Sequence, residues 1–155
     1  MGLVLALCGR YQRAMLNTIH HGETSDAPPV VIAHGLFGSA RNWGVIAKRL
    51  SDRGQVVAVD MRNHGQSDWQ DSHSYEEMAD DLAEVIATLD GPADVVGHSM
   101  GGKAAMMLAL RHPDAVRRLV VGDIAPAPYS HSQVDKIHDM RAVDLGAVSR
   151  RSEAE

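Results

Sequence analysis

The chain has 155 residues, room for one domain. Apolar residues make up 45% and charged residues 23%, which excludes a disordered tail, a collagen-like repeat and a small disulfide scaffold. A formal net charge of −5, with only one Phe, two Trp and three Tyr, argues against a nucleic-acid partner, and no run reaches the ~18 apolar residues of a membrane span.

Residues 1–14 open with GLVLALCG, apolar but short, and no Lys or Arg precedes it as a signal peptide requires. Leu7 is bulky where a lipoprotein box needs a small residue. The stretch is expected to be a disordered extension, with a natural start at Met15. Cys8 is the single cysteine and cannot form an internal disulfide, so a reducing, cytoplasmic setting is expected.

The elements follow in order. Leu16–His21 offers an antiparallel strand, and Val30–Ala33 (VVIA) is a buried-strand run ending in His34-Gly35. Trp43, Ile46, Ala47 and Leu50 have helical spacing. Gln55–Val59 (QVVAV) is a second β-branched run, ending at Asp60. Ser74 and Glu77 form a capping box ahead of a helix whose apolar face is Met78, Leu82, Val85, Ile86 and Leu89. Gly91-Pro92 stops it. Ala93–Val96 is a third strand, Met100–Arg111 a helix ended by Pro113, and Arg118–Val121 a fourth strand. Beyond Pro126 comes a loop, then one or two helices over Gln133–Val148. Strands alternating with helices predict an α/β fold with a mostly parallel sheet and flanking helices.

The chemistry-bearing signal is Gly97-His98-Ser99-Met100-Gly101, a G-x-S-x-G between a predicted strand and a predicted helix. Its two glycines suit the crowding of strand and helix at a sharp turn. That turn would project the Ser99 hydroxyl above the sheet edge and aim the Met100 N–H at a developing oxyanion. His34-Gly35-Leu36-Phe37-Gly38, after the first buried strand, offers the Leu36 N–H as the second oxyanion donor. His34, Gly35, Gly97, His98 and Gly101 are read as supporting turn residues. In Asp60-Met61-Arg62-Asn63-His64-Gly65, the residues Asp60, Arg62 and His64 are expected to brace the loops through buried hydrogen bonds or ion pairs.

Gly97 to Lys103 also matches most of a P-loop, but Ala104 stands where Ser or Thr would ligate magnesium. Lys103 is expected near the surface of the helix. No ligand spacing among the nine histidines suggests a metal site, so no metal is expected.

Together, VVIAHGLFGSARNW, VVAVDMRNHGQS, VVGHSMGG and VVGDIAPAPY resemble the α/β-hydrolase superfamily, most closely its YbfF-like esterase and abhydrolase-domain group. The resemblance implies a serine hydrolase of small acyl esters or thioesters, needing no cofactor, with Ser99 as nucleophile. It implies a hydrolase core over residues 15–128 and the start of a helical cap over 129–155. It also makes Asp123 the candidate acid, beside Ser99 at the end of the next strand. Many members place the acid one strand later, and an aspartate that only fixes its own loop is the other reading.

The family order is Ser, then acid, then His. Downstream of Asp123 this sequence holds His131 and His138, both in the expected loop and cap. The histidine that follows the family's last strand has no counterpart here, so the chain is expected to be an N-terminal portion, catalytically incomplete. Two alternatives stand beside the esterase: a non-catalytic binding module on this fold, and another chemistry such as a lyase or C–C hydrolase. The oligomeric state is not readable from the sequence.

Overall fold

The computed structural model describes residues 14–129, 132–144, 146–147 and 149–150. The expected extension therefore lies, apart from Ala14, outside the described residues, as does His131. Five strands form one sheet: β1 (Thr18–His21), β2 (Val30–Ala33), β3 (Val56–Val59), β4 (Ala93–His98) and β5 (Val116–Gly122). Their order is β1-β3-β2-β4-β5, with β1 antiparallel to β3 and all other pairs parallel.

Alternation of side chains along the central strands sorts the core into two layers. Val31, Ala33, Val57, Val59 and Val95 face helices α2 (Tyr75–Ala87) and α3 (Met100–Arg111). Ile32, Val56 and Ala58 face the opposite side, where Ala47 of α1 (Gly44–Leu50) covers them. Because both faces are covered, β3 is buried along its whole length.

Local chemistry sets the element ends. Ser74 caps α2: its hydroxyl accepts from the Glu77 N–H at 3.2 Å, while a Glu77 carboxylate oxygen accepts from the Ser74 N–H at 3.1 Å. The helical spacing before β3 resolves into a 3-10 turn over Ala40–Trp43 followed by α1. A fourth helix, α4 (Val134–Ala142), has no buried residue.

Register places the site. Ala33 pairs with both Val59 and Gly97, and His98 pairs with Gly122. The loops that follow β2, β3, β4 and β5 consequently open at one edge of the sheet. Ser99 and Asp123 occupy corresponding positions one residue past the last β4–β5 pair.

Candidate active site

Ser99 sits between β4 and α3 with φ 50° and ψ −113°, left-handed backbone that a residue with a Cβ rarely adopts. Its N–H donates to the Gly122 carbonyl at 2.9 Å, and its carbonyl accepts from the Lys103 N–H at 3.1 Å. The turn is tight enough to require the flanking glycines. A Cβ at Gly97 would collide with the Gly101 carbonyl oxygen, and one at Gly101 with the carbonyl oxygens of Ala33 and His34.

Two backbone donors flank this serine. Among the described residues, neither the Leu36 N–H nor the Met100 N–H has an intramolecular acceptor. Both residues line, with half-buried Ser99, a cavity of about 540 Å³. Met100 opens α3, so its N–H lies at the positive end of the helix dipole. A site with free N–H groups beside an alcohol suits an anionic oxygen.

The loops after β2 and β3 are joined by side chains. Asp60 accepts from the Ala40 N–H at 2.7 Å, the Gln66 N–H at 3.0 Å and the Asn17 side-chain amide at 2.8 Å. Burial pushes the Asp60 carboxyl up, but these donors outweigh it and hold the group below the ordinary range. Buried His34 donates from Nδ1 to the Gly35 carbonyl at 2.7 Å and accepts at Nε2 from the Met61 N–H at 3.0 Å. Burial also lowers its pKa, with neighbouring His64 adding to the effect.

Arg62 is fully buried and forms a forked pair with Asp81 of α2, at 2.6 and 2.8 Å, and an ion pair with Glu77 at 3.2 Å. The Glu77 carboxyl is held at about 2, mainly by the Ser72 hydroxyl, with Ser74 and Arg62 adding to it against the opposing effect of burial. The bracing expected of Asp60 and Arg62 is thus present, whereas His64 is only half-buried, with Nδ1 on the Arg62 carbonyl at 2.9 Å and Nε2 accepting from the exposed Phe37 N–H at 3.3 Å. Buried Asp81 escaped the sequence reading, although its place three residues after Met78 on the apolar face of α2 was a signal for a buried partner.

Asp123, with φ 57°, leaves the end of β5 with its side chain 85% exposed. The His98 Nε2 lies 3.6 Å from the Asp123 Oδ2. His98 also rests beside the Trp43 ring, 6.0 Å between centroids. Lys103 turns along the cavity rather than out of it: Nζ donates to the Ala127 carbonyl at 2.9 Å and lies 4.5 Å from the Tyr129 ring centroid. Tyr75, Ile124 and His73 also line the cavity, a contribution that sequence distance concealed. Burial, followed by the proximity of His64 and Arg62, lowers the His73 pKa.

Among the described residues, no histidine hydrogen-bonds the Ser99 hydroxyl. His138 lies on the exposed surface of α4. Among the described residues, no group of three His, Cys, Asp or Glu side chains is arranged to hold a metal ion, and no helix is long and apolar enough to cross a membrane.

A serine elbow between strand and helix, at the loop-bearing edge of a mostly parallel sheet, defines the site of the α/β-hydrolase class. The family model for the alpha/beta hydrolase fold matches residues 28–144, and the chain belongs to that family. It is 47% identical over 124 residues to the sn-1-specific diacylglycerol lipase ABHD11 of Mus musculus, covering 76% of this chain and 40% of that protein. It is 44% identical over 110 residues to Esterase YbfF of Escherichia coli (strain K12), covering 70% of this chain and 43% of that one. A solved marine microorganism esterase superposes with a TM-score of 0.75 at 38% identity, over 92% of this chain and 56% of its own. The chain therefore spans well under two thirds of the length of these relatives.

Proposed function

We propose that the chain carries the nucleophile and oxyanion half of a serine hydrolase acting on small acyl esters or thioesters. The observation that carries this reading is the strained Ser99 in a cavity also lined by Leu36 and Met100, whose backbone N–H groups have no acceptor among the described residues. The esterase and lipase names of the relatives support it.

In this mechanism the Ser99 hydroxyl oxygen attacks the substrate carbonyl carbon as its proton passes to a histidine base. The carbonyl oxygen becomes an oxyanion held by the Leu36 and Met100 N–H groups. Collapse returns the proton to the departing alkoxide or thiolate and leaves an acyl-Ser99 ester. Water, deprotonated by the same histidine, cleaves that ester and restores the serine. Asp123 is the acid that orients the histidine. The base is completed from outside the described residues, which include neither His131 nor any histidine bonded to the Ser99 hydroxyl. Residues 129–155 begin a cap over the cavity, a role supported by Tyr129, Gln133 and Lys136 in its lining. The setting is cytoplasmic, in keeping with the single cysteine.

One observation favours a second reading, the non-catalytic binding module: no described histidine is bonded to Ser99. Fluorophosphonate labelling, with p-nitrophenyl butyrate turnover alongside it and Ser99→Ala as control, separates the two. Slow labelling that vanishes in Ser99→Ala is expected for the hydrolase. A folded chain whose labelling is independent of Ser99 would overturn the hydrolase reading and leave the binding module.

A further inference from the structure

Two imidazoles hold the turn that carries Leu36: His34 through the Gly35 carbonyl, and His64 from the loop after β3. Within the turn, the Gly38 N–H donates to the Gly35 carbonyl at 2.9 Å, and Phe37 has φ 63°, a left-handed conformation for a residue with a bulky side chain. The Phe37 N–H cannot bond inside such a turn. It donates instead to Nε2 of His64, 3.3 Å away across the gap between the β2 and β3 loops.

The chemistry of His64 leaves one tautomer. Its Nδ1 lies 2.9 Å from the Arg62 carbonyl, which can only accept, so Nδ1 carries the proton and Nε2 presents a lone pair. The Arg62 backbone is itself anchored, because the Arg62 guanidinium is fully buried on Asp81. The His64 ring is wedged between His34, at 5.1 Å and edge-on, and His73, at 5.7 Å and stacked. It has little freedom to rotate away from Phe37.

We propose that His64 is a positioning residue for acyl transfer: by accepting from Phe37 it holds the 35–38 turn so that the Leu36 N–H faces the Ser99 cavity. This rests on the serine-hydrolase reading. Without the acceptor, the exposed Phe37 amide turns to water, and the 35–38 turn loses its tie to the β3 loop and with it the fixed direction of the Leu36 donor. His64 touches no reacting atom and acts through the backbone alone.

The test compares fluorophosphonate labelling rates of Ser99 in the wild type, His64→Gln and His64→Leu, with folding followed by circular dichroism. The Gln Oε1 can stand where Nε2 stood, whereas Leu keeps the bulk and loses the acceptor. Misplacing one oxyanion donor is expected to slow labelling by ~10-fold or more in His64→Leu, approaching the ~100-fold of an outright donor loss, with His64→Gln within about threefold of wild type. In ¹⁵N-labelled wild type, a two-bond ¹⁵N–¹⁵N coupling between the Phe37 amide and His64 Nε2 is expected across the hydrogen bond.

A folded His64→Leu that labels at the wild-type rate overturns the proposal, as does a His64→Gln that falls as far as His64→Leu. If His64→Leu does not fold, absence of the coupling in wild type overturns it, and its presence with a normally labelling His64→Gln supports it. Wild type with no Ser99-dependent labelling removes the hydrolase reading and this proposal together. Normal wild-type labelling with an indifferent position 64 removes the proposal alone.

Discussion

The loops after β2 and β3 are cross-linked by buried side chains, whereas the loop after β5 is held by exposed contacts. On the first side, His34, Asp60 and Arg62 are each at most 3% exposed and each bonds a partner on another element. On the second, Asp123 is 85% exposed, and its loop is secured by the Ala125 N–H on the Tyr129 hydroxyl and by Lys103 on the Ala127 carbonyl. The difference follows from what covers each side. The central strands lie under helices on both faces, while β5 is an edge strand with Arg117, Arg118 and Val120 exposed. Donors for an oxyanion can be built from backbone already fixed by the core. Asp123, the proposed acid, stands on an exposed loop and needs a further partner to orient it.

This contrast can be broken by substitution. The largest effect is expected for Ser99→Ala, which removes the proposed nucleophile and should reduce esterase turnover to background, a loss on the order of 10⁶-fold where the rest of the triad is present. Next, Arg62→Ala leaves the Asp81 carboxylate buried without its cation and should destabilise the chain by about 3–5 kcal/mol, read from urea unfolding. Ser99→Gly has the opposite sign. Relief of the left-handed strain should stabilise the fold by about 1–3 kcal/mol and raise Tm while abolishing labelling.

A smaller effect is expected from acid. The folded-state pKa of Glu77, about 2, lies below the unfolded value. Its stabilising contribution is therefore complete above ~4.3, the ordinary glutamate value, and is lost as the pH falls from there through the folded one. Urea midpoints should decline over that window, and Glu77→Gln should flatten the decline. The smallest stability change is expected for Asp123→Asn, within ~0.5 kcal/mol because the side chain is exposed. If Asp123 is the acid, the same variant loses activity. That pairing of lost activity with retained stability would sharpen the contrast with Arg62.

The sheet and its order of elements were legible because VVIA and VVAV are short β-branched runs that stop at His34 and Asp60. The capping box at Ser74 and Pro113 beyond Arg111 marked helix ends in the same direct way. β5 begins at Val116 rather than Arg118, because Arg117 interrupts the apolar pattern; in the fold it pairs with Asp94 of the neighbouring strand. The elbow at Ser99 was readable since its constraint is local, with Gly97 and Gly101 two residues to either side. The bond from Phe37 to His64 was not, because it spans 27 residues and depends on a loop conformation. Lys103 stands near the surface on the first turns of α3, as expected, but its partners, Ala127 and Tyr129, were not legible because they lie a full crossover away in the chain.

The backbone of Ser99 has a bearing on how this sequence would drift. A residue held at φ 50° works against folding, and one substitution to glycine would release it. A lineage in which the position no longer did chemistry would meet no folding barrier to that change, and would gain stability by it. On the proposed reading, serine at this point is kept by use, and sampling many such sequences would show whether those that abandon it turn to glycine first.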